Sequence, residues 1–390
     1  MAKPHPLKGP NRLKLGVFST NADGGLAITD VPERWLASWQ DNLTATQIAD
    51  RAGLEFVLPI ARWRGFGGRN RVREWSFETF TWAAGLASAT ERIGLFMTVH
   101  VPLVHPLYAA KALATVDHIS KGRAGLNIVC GWNPDEFDIH GATIDSKRRY
   151  DHGLEWFRIF ARICEGGEPF GWEGEFYKLR GVTTDPLPLQ RPRPPVMSAG
   201  ISSAGREFAA QAADILFTSL PDLAKASELI RNVQSAAAAH GRATEVYTQT
   251  QIVCRPNRKE AEDFYHYFAE EQADEEALEY FRRQKLVATE KDSKEAAHYK
   301  QQHANRFTRA TGKRYAGLFP GMHAVVGEPD DVVEELKRLK ATGIAGSALV
   351  FLNYLVEMPF FVQEVLPRME RAGLRHPQFS EGPTRVARAN

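Results

Sequence analysis

Cysteine is scarce in this chain. Its three cysteines, Cys130, Cys164 and Cys254 in 390 residues, are too scattered for a disulfide framework or a zinc cluster, as a reducing compartment predicts. An excess of charge of one sign is lacking too. Lysine and arginine total 49 against 47 acidic residues, a formal net charge of +2, which argues against a dedicated nucleic-acid surface. No segment approaches the run of about 18 apolar residues that a membrane helix needs. The opening MAKPHPLKGPNRLKL has basic residues but no apolar stretch before the first strand, unlike a signal peptide. These absences predict a cytoplasmic protein with neither nucleic acid nor membrane as partner.

Several chemical signatures are missing as well. The 12 histidines include no HExxH and no zinc-spaced Cys/His cluster, so no metal site is expected. No GxSxG elbow supports a serine nucleophile, and no GxxxxGK[ST] supports a phosphate loop. No GxGxxG follows the first strand, which removes the usual fingerprint of dinucleotide binding.

What is present is a regular alternation in a chain of ordinary composition, 43% hydrophobic and 25% charged. Predicted strands cover Leu15–Ser19, Phe56–Ile60, Arg92–Val101, Gly125–Gly131, Pro195–Gly200, Ile215–Leu220, Val246–Arg255 and Gly346–Asn353. Helical spacing fills the gaps, at Glu33–Ala52, Phe77–Ala89, Leu107–Ile119, Lys147–Cys164, Ser203–Ala213, Leu223–Ala239 and Pro329–Ala341. Eight such units most simply close into a (β/α)8 TIM barrel, forming one domain over residues 1–390. A doubly wound open sheet is the alternative, weakened by the missing dinucleotide fingerprint.

Three regions interrupt the pattern. Residues 170–195 are rich in Gly, Pro and aromatics and predict an irregular β excursion. Residues 257–327 form a long charged insertion, either a solvated helical excrescence or a lid over the barrel mouth. Residues 376–390 predict a flexible tail.

The segment from His105 to Gly141 carries the clearest chemistry. It reads as helix, basic turn and apolar strand holding Asn127, then a polar loop with Asn133, Asp135 and Glu136. A polar amide inside a buried strand, ahead of a carboxylate loop, matches how barrel enzymes build sites at the carboxyl ends of their strands. Glu136 is a candidate general base, cofactor contact or surface carboxylate. Thr98, among Phe96, Met97 and Val99, is a hydroxyl that could face the barrel interior. In SAGISSAG, Ser198–Gly205, a strand runs into a helix capped by Ser202 or Ser203, a ready anion site. Arg149 and Tyr150 open another helix and could supply a cation and a hydroxyl to the same anion. The loop RWRGFGGRNRVR, Arg62–Arg73, holds five arginines, as a solvated basic loop or a mobile cover contacting cofactor or substrate. His105 and His118 read as structural.

Together the His105–Gly141 block, RGFGG at Arg64–Gly68, RRY at Arg148–Tyr150 and SAGISSAG resemble the bacterial luciferase-like flavin monooxygenases. The pyrimidine (uracil ring-opening) branch is nearest, with the dimethylsulfone and alkanesulfonate enzymes further off. The resemblance covers most of Leu13–Leu374 and fades across the insertion. It implies FMN as cofactor, reduced by a separate NAD(P)H-dependent flavin reductase, with O2 as co-substrate. It also implies that Ala61, Arg62, Asn127, Glu136, Arg149, Tyr150 and Ser202 contact the flavin, and that Thr98 and Asn127 hold the oxygen. Cys130 departs from the Thr or Ser of relatives but keeps their size, so flavin binding is expected to survive.

The chemistry implied is a flavin peroxide, at N5 or C4a, attacking a small substrate. A flat heterocyclic or aromatic amide comes first, with the pocket shaped by Trp63, Phe66, Trp132 and Phe137; an organosulfur compound comes second. Other readings are a deazaflavin-dependent dehydrogenase, a flavin-binding protein without turnover, and a sugar- or phosphate-handling barrel. Relatives are commonly dimers or tetramers, so a homo-oligomer is expected.

Overall fold

Strand β1, Lys14–Phe18, is buried along its whole length and hydrogen-bonds in parallel to β2, Phe56–Leu58, on one side. The structure is a computed structural model describing residues 4–142, 148–220, 222–289 and 322–377. From β2 the sheet continues in parallel through β3, Gly94–His100, and β4, Ala124–Val129, to β7, Val196–Ala199. It then passes through β8, Ile215–Phe217, and β9, Glu245–Cys254, to β11, Gly346–Val350, which returns to β1. The eight strands close a (β/α)8 barrel, as the alternation predicted.

Side chains alternate across this wall, as strand geometry requires. Leu15, Val17, Leu95, Met97, Leu126 and Ile128 face out into one core shared with the helices. Phe18, Phe56, Leu58, Phe96, Met197 and Tyr247 fill a second core inside the barrel. Gly125 is glycine for a steric reason: a Cβ there would lie 2.6 Å from the Phe96 ring. By the same alternation Thr98 and Asn127 face inward.

The helices outside the barrel are α1, Trp39–Arg51, α2, Thr79–Ser88, α3, Pro106–Ile119, α5, Arg149–Glu165, α6, Ser203–Ala212, α7, Ala226–Ala239, and Pro329–Ala341. A short helix, α4, Pro134–Asp138, follows β4. The first helix starts six residues later than the sequence pattern predicts. Ala37 sits at φ +51°, incompatible with helix, and Ser38 caps the helix by accepting the Asp41 amide. Trp35, predicted on that helix, lies instead in the preceding loop, its indole N–H donating to the Thr20 carbonyl. The β excursion contains an antiparallel hairpin, β5, Phe170–Glu173, with β6, Lys178–Val182.

The insertion contains α8, Arg258–His266, and α9, Glu275–Thr289; residues 290–321 lie outside the described residues. It ends in a strand that sequence reading does not predict, β10, His323–Gly327, parallel to β9 from Thr250 to Cys254. Thr250 and Gln251 pair with β11 as well, so β10 takes the β9 edge that β8 leaves after Tyr247. The described part is no solvated excrescence. Ala277, Leu278 and Phe281 of α9 are fully buried against Ile28, Phe66 and Val72. Of the expected tail, residues from 378 onward lie outside the described residues. Arg375 just before it is buried, bonded to Glu55 at 3.0 Å.

Candidate active site at the carboxyl ends of the barrel strands

Thr98 of β3 and Asn127 of β4 are register partners, both nearly fully buried on the inward face. The Thr98 hydroxyl donates to the Pro59 carbonyl at 2.6 Å, which leaves its lone pairs for Asn127 Nδ2, 3.2 Å away. The Asn127 amide is thereby held by one end. Its other end, Oδ1, is buried with no hydrogen-bond partner among the described residues. An unpaired buried amide oxygen is costly, and on this inward face it offers an acceptor to whatever fills the barrel interior.

Two residues along β3, His100 shares the face of Thr98 and is buried to the same degree. Burial pushes its pKa down to about 4 against the opposing pull of Glu136, so the ring is neutral near pH 7. Its Nδ1 lies 3.8 Å from Glu136 Oε2. Glu136 is turned inward by the start of α4, where Asn133 caps the helix and Pro134 occupies its first position. The other oxygen, Oε1, accepts from Arg62 Nη1 at 2.9 Å and from the Trp63 amide at 3.0 Å. The Arg62 guanidinium also lies over the rings of Phe66 and Trp132. Arg62 and Glu136 therefore form a buried, mutually neutralising pair, with Ala61 half-buried beside them.

A second group lies at the starts of α5 and α6. Ser202 caps α6, accepting the Gly205 amide at 3.1 Å, and its hydroxyl also lies 3.1 Å from the Tyr150 hydroxyl. The amides of Ser203 and Ala204 have no acceptor within the helix. Arg149 reaches the Gly131 carbonyl at 3.4 Å, while its Nε is buried and without a partner among the described residues. A Cβ on Gly205 would come within 2.7 Å of the Tyr150 oxygen, so only glycine leaves this corner open. Two hydroxyls, one guanidinium and a helix amino terminus together suit an anion with several oxygens.

Thus Thr98, Asn127, Ala61, Arg62 and Glu136 gather in one group, and Arg149, Tyr150 and Ser202 in another, joined through Gly131, two residues past the end of β4. The five loop arginines do not act as a set. Arg62 and Arg73 turn inward, the latter donating to the Gly25 carbonyl at 3.0 Å, while Arg69 and Arg71 point to solvent. Of the four aromatics expected to shape the pocket, Phe66 is buried under α9, Phe137 packs by His100, and Trp132 meets Phe281. Trp63 is half-exposed beside His140. Cys130 faces away from the mouth: a Cβ on Gly153 of α5 would lie 2.5 Å from its sulfur. Burial raises that thiol to about 12.

Sequence reading missed His100 and Gln251. Both stand two residues from another polar side chain on an inward face, Thr98 and Gln249, and that period-two spacing is the signal that points to them. It also missed the tie between α4 and α9, where Asp135 Oδ2 accepts from the Tyr280 hydroxyl and from Gln284 Nε2 at 2.6 Å.

Comparison with known proteins decides the family. The family model described as luciferase-like monooxygenase matches residues 13–346. The chain belongs to the luciferase-like monooxygenases. Among curated members, an FMNH2-dependent dimethylsulfone monooxygenase of Pseudomonas putida is 27% identical over 358 residues, covering 91% of this chain and 94% of the relative. The pyrimidine monooxygenase RutA of Methylorubrum extorquens is 28% identical over 364 residues, covering 92% and 96%. Solved structures share the fold: an EDTA monooxygenase from Chelativorans sp. BNC1 superposes with a TM-score of 0.79 at 19% identity, covering 93% of this chain and 95% of its own. This luciferase-like chain thus aligns with its relatives over nearly their whole length. Among its described residues, no helix is long and apolar enough to cross a membrane.

Proposed function

We propose that this chain is the oxygenating component of a two-component system. It would take reduced FMN from a separate NAD(P)H-dependent flavin reductase and use O2 to oxygenate or cleave a small heterocyclic or aromatic amide. The observation that carries the reading is the pairing of two ready-made features. An unpaired Asn127 Oδ1 stands beside Thr98 at the barrel mouth, and an anion cradle opens at Arg149, Tyr150 and Ser202.

These residues fit FMN. The phosphate would sit at Ser202, Tyr150, Arg149 and the open amides of α6, where an anion gains most from the helix terminus. Asn127, Ala61 and the Arg62–Glu136 pair would border the ring system. When bound and reduced, FMN supplies the electrons that activate O2.

The chain's own residues have distinct tasks. Thr98 and Asn127, each fixed through the other and through Pro59, would hold an oxygen-bearing group in one orientation. Neutral His100 and the paired Arg62–Glu136 would present no free charge to the ring system. Glu136 already accepts two hydrogen bonds, and its carboxylate orients Arg62 and the Trp63 backbone rather than removing protons from substrate. We propose further that α9, tied to Asp135 and packed on Phe66, is part of a lid closing the mouth.

A second reading, oxygenation of an organosulfur compound, is favoured by the similarity to the dimethylsulfone monooxygenase, which matches that to RutA in identity and coverage. The test is a panel of ring amides and sulfones incubated with the chain, FMN, NADH and a flavin reductase under ¹⁸O2, analysed by mass spectrometry. One labelled oxygen in a ring-opened or hydroxylated amide is the expected result. Substrate consumption without label would sink the reading. Tighter binding of a deazaflavin than of FMN would point to a dehydrogenase.

A further inference from the structure

Gln251 is fully buried on β9, and among the described residues neither its amide nitrogen nor its amide oxygen has a hydrogen-bond partner. It shares a face with Tyr247 and Val253, both in the inner core, and pairs in register with the inward Val350 of β11. Around the closed barrel β9 stands four strands from β3 in either direction, so Gln251 projects from the wall opposite Thr98 and His100. Gln249, on the same face, is already engaged, its Nε2 donating to Ser219 at 3.2 Å. Among the described residues of this wall, Gln251 is the carboxamide that offers an unused donor and an unused acceptor side by side, on the same face as a Tyr247 hydroxyl that also lacks a partner.

The surroundings restrict what could meet it. Phe18, Leu58, Met197, Phe217 and Val350 line the inner wall with apolar surface. The charges nearest the opposite wall, Arg62 and Glu136, neutralise each other. An anionic group arriving at Gln251 would find the Arg62 guanidinium across the barrel already engaged by Glu136, and burying it unpaired is prohibitive. The partner must be neutral and must present one acceptor beside one donor to satisfy both amide atoms. A ring amide does this. Its bond is held cis, so C=O and N–H point the same way and match the carboxamide edge to edge. A sulfone has two acceptors and no donor, and would leave Gln251 Oε1 unpaired.

We propose that Gln251 selects the substrate by pairing with the cis edge of a neutral lactam or cyclic imide, Nε2–H to the ring carbonyl and Oε1 to the ring N–H. The proposal rests on the monooxygenase reading above and narrows its substrate.

The test uses the full chain loaded with oxidised FMN and measures binding by isothermal titration, beside turnover with the reductase. Five- and six-membered lactams and imides are compared with their N-methyl forms and with dimethylsulfone. The expected result is at least about tenfold weaker binding of N-methyl forms by the native chain, because methylation leaves Oε1 unpaired. Gln251→Leu should erase that discrimination and lower kcat/KM for the parent ring about tenfold or more, while FMN affinity stays within twofold. Gln251→Met, which keeps the approximate size but removes both the donor and the acceptor, should behave likewise and stands in if the leucine variant misfolds.

Equal binding of parent and N-methyl rings, or turnover of sulfones but of no ring amide, overturns the proposal and leaves the monooxygenase reading intact. Turnover of nothing by an FMN-loaded chain overturns it too. Failure to bind FMN at all strikes the underlying reading instead.

Discussion

Asn127 is hydrogen-bonded to Thr98 through its nitrogen only, at 3.2 Å, because the Thr98 hydroxyl spends its proton on the Pro59 carbonyl. The direction of both hydrogen bonds is therefore fixed, and the Asn127 oxygen is left without a partner among the described residues inside the barrel. Thr98→Val keeps the volume but deletes both bonds, leaving Asn127 Nδ2 and the Pro59 carbonyl buried and unpaired. The expected cost is about 1–3 kcal/mol of stability by urea denaturation. Oxygenase turnover should fall at least tenfold, with FMN affinity nearly unchanged. Thr98→Ser should restore most of both. A serine variant as damaged as the valine one would remove the hydrogen-bond argument.

The Arg62–Glu136 pair is buried on both sides, with side chains 5% and 0% exposed. Replacing Glu136 with Gln strands a guanidinium among Phe66 and Trp132, a situation that costs roughly 3–5 kcal/mol for buried pairs. The double variant Arg62→Met, Glu136→Gln should recover much of that loss, since no lone charge remains. Guanidinium denaturation of the two single variants and the double variant gives the coupling directly. Additive losses would show that the two charges do not depend on each other.

At the cradle, Ser202→Ala removes both the cap on α6 and the partner of Tyr150. A loss of about 1 kcal/mol in stability follows from the cap alone. If the cradle holds the FMN phosphate, FMN affinity should drop about tenfold, and riboflavin, which lacks the phosphate, should bind the variant and the native chain equally. Arg149→Met should weaken FMN further and flatten the salt dependence of its binding. Equal losses for FMN and riboflavin would place the phosphate elsewhere.

The barrel was legible because its strands are short apolar runs regularly separated by helical periods, and because alternation assigns Thr98 and Asn127 to one face. The cap at Ser202 was legible from a strand that ends in glycine and runs into a serine. What escaped depends on partners distant in sequence. Nothing near Thr98 announces that its proton goes to Pro59, and nothing near Arg62 distinguishes it from Arg69, which faces water. Composition marks the insertion as charged and solvated, yet Ala277, Leu278 and Phe281 pack in because they recur on one side of α9 against Phe66. Strand β10 is five residues beside a helix of stronger period. The late start of α1 turns on a single positive φ at Ala37, a residue with no sequence preference for it.

The tie between α9 and α4 makes the proposed lid testable without substrate. Tyr280→Phe with Gln284→Leu removes both donors to Asp135 while leaving the Phe281 contacts in place. Local opening should become easier, so limited proteolysis within α9 should quicken several-fold while the global melting temperature moves little. Unchanged cleavage would mean that the apolar contacts alone hold α9.

His100 provides a pH signature. Its folded pKa is about 4 against an unfolded value near 6.5, because burial disfavours the charged ring. The unfolded chain therefore binds more protons than the folded one between these values, and stability must fall as pH drops through that window. The contribution is complete above about pH 6.5 and levels off below about pH 4, with a total near 3 kcal/mol. His100→Gln removes this titration and should flatten the decline between pH 6.5 and 4. His5 is lowered in the same way, to about 3, and retains its own share of the acid sensitivity in the variant. The check is a series of urea melts at half-unit steps from pH 7.5 to 4. Parallel curves for the native chain and His100→Gln would mean that the ring is protonated in the folded state and pairs with Glu136 as a charge.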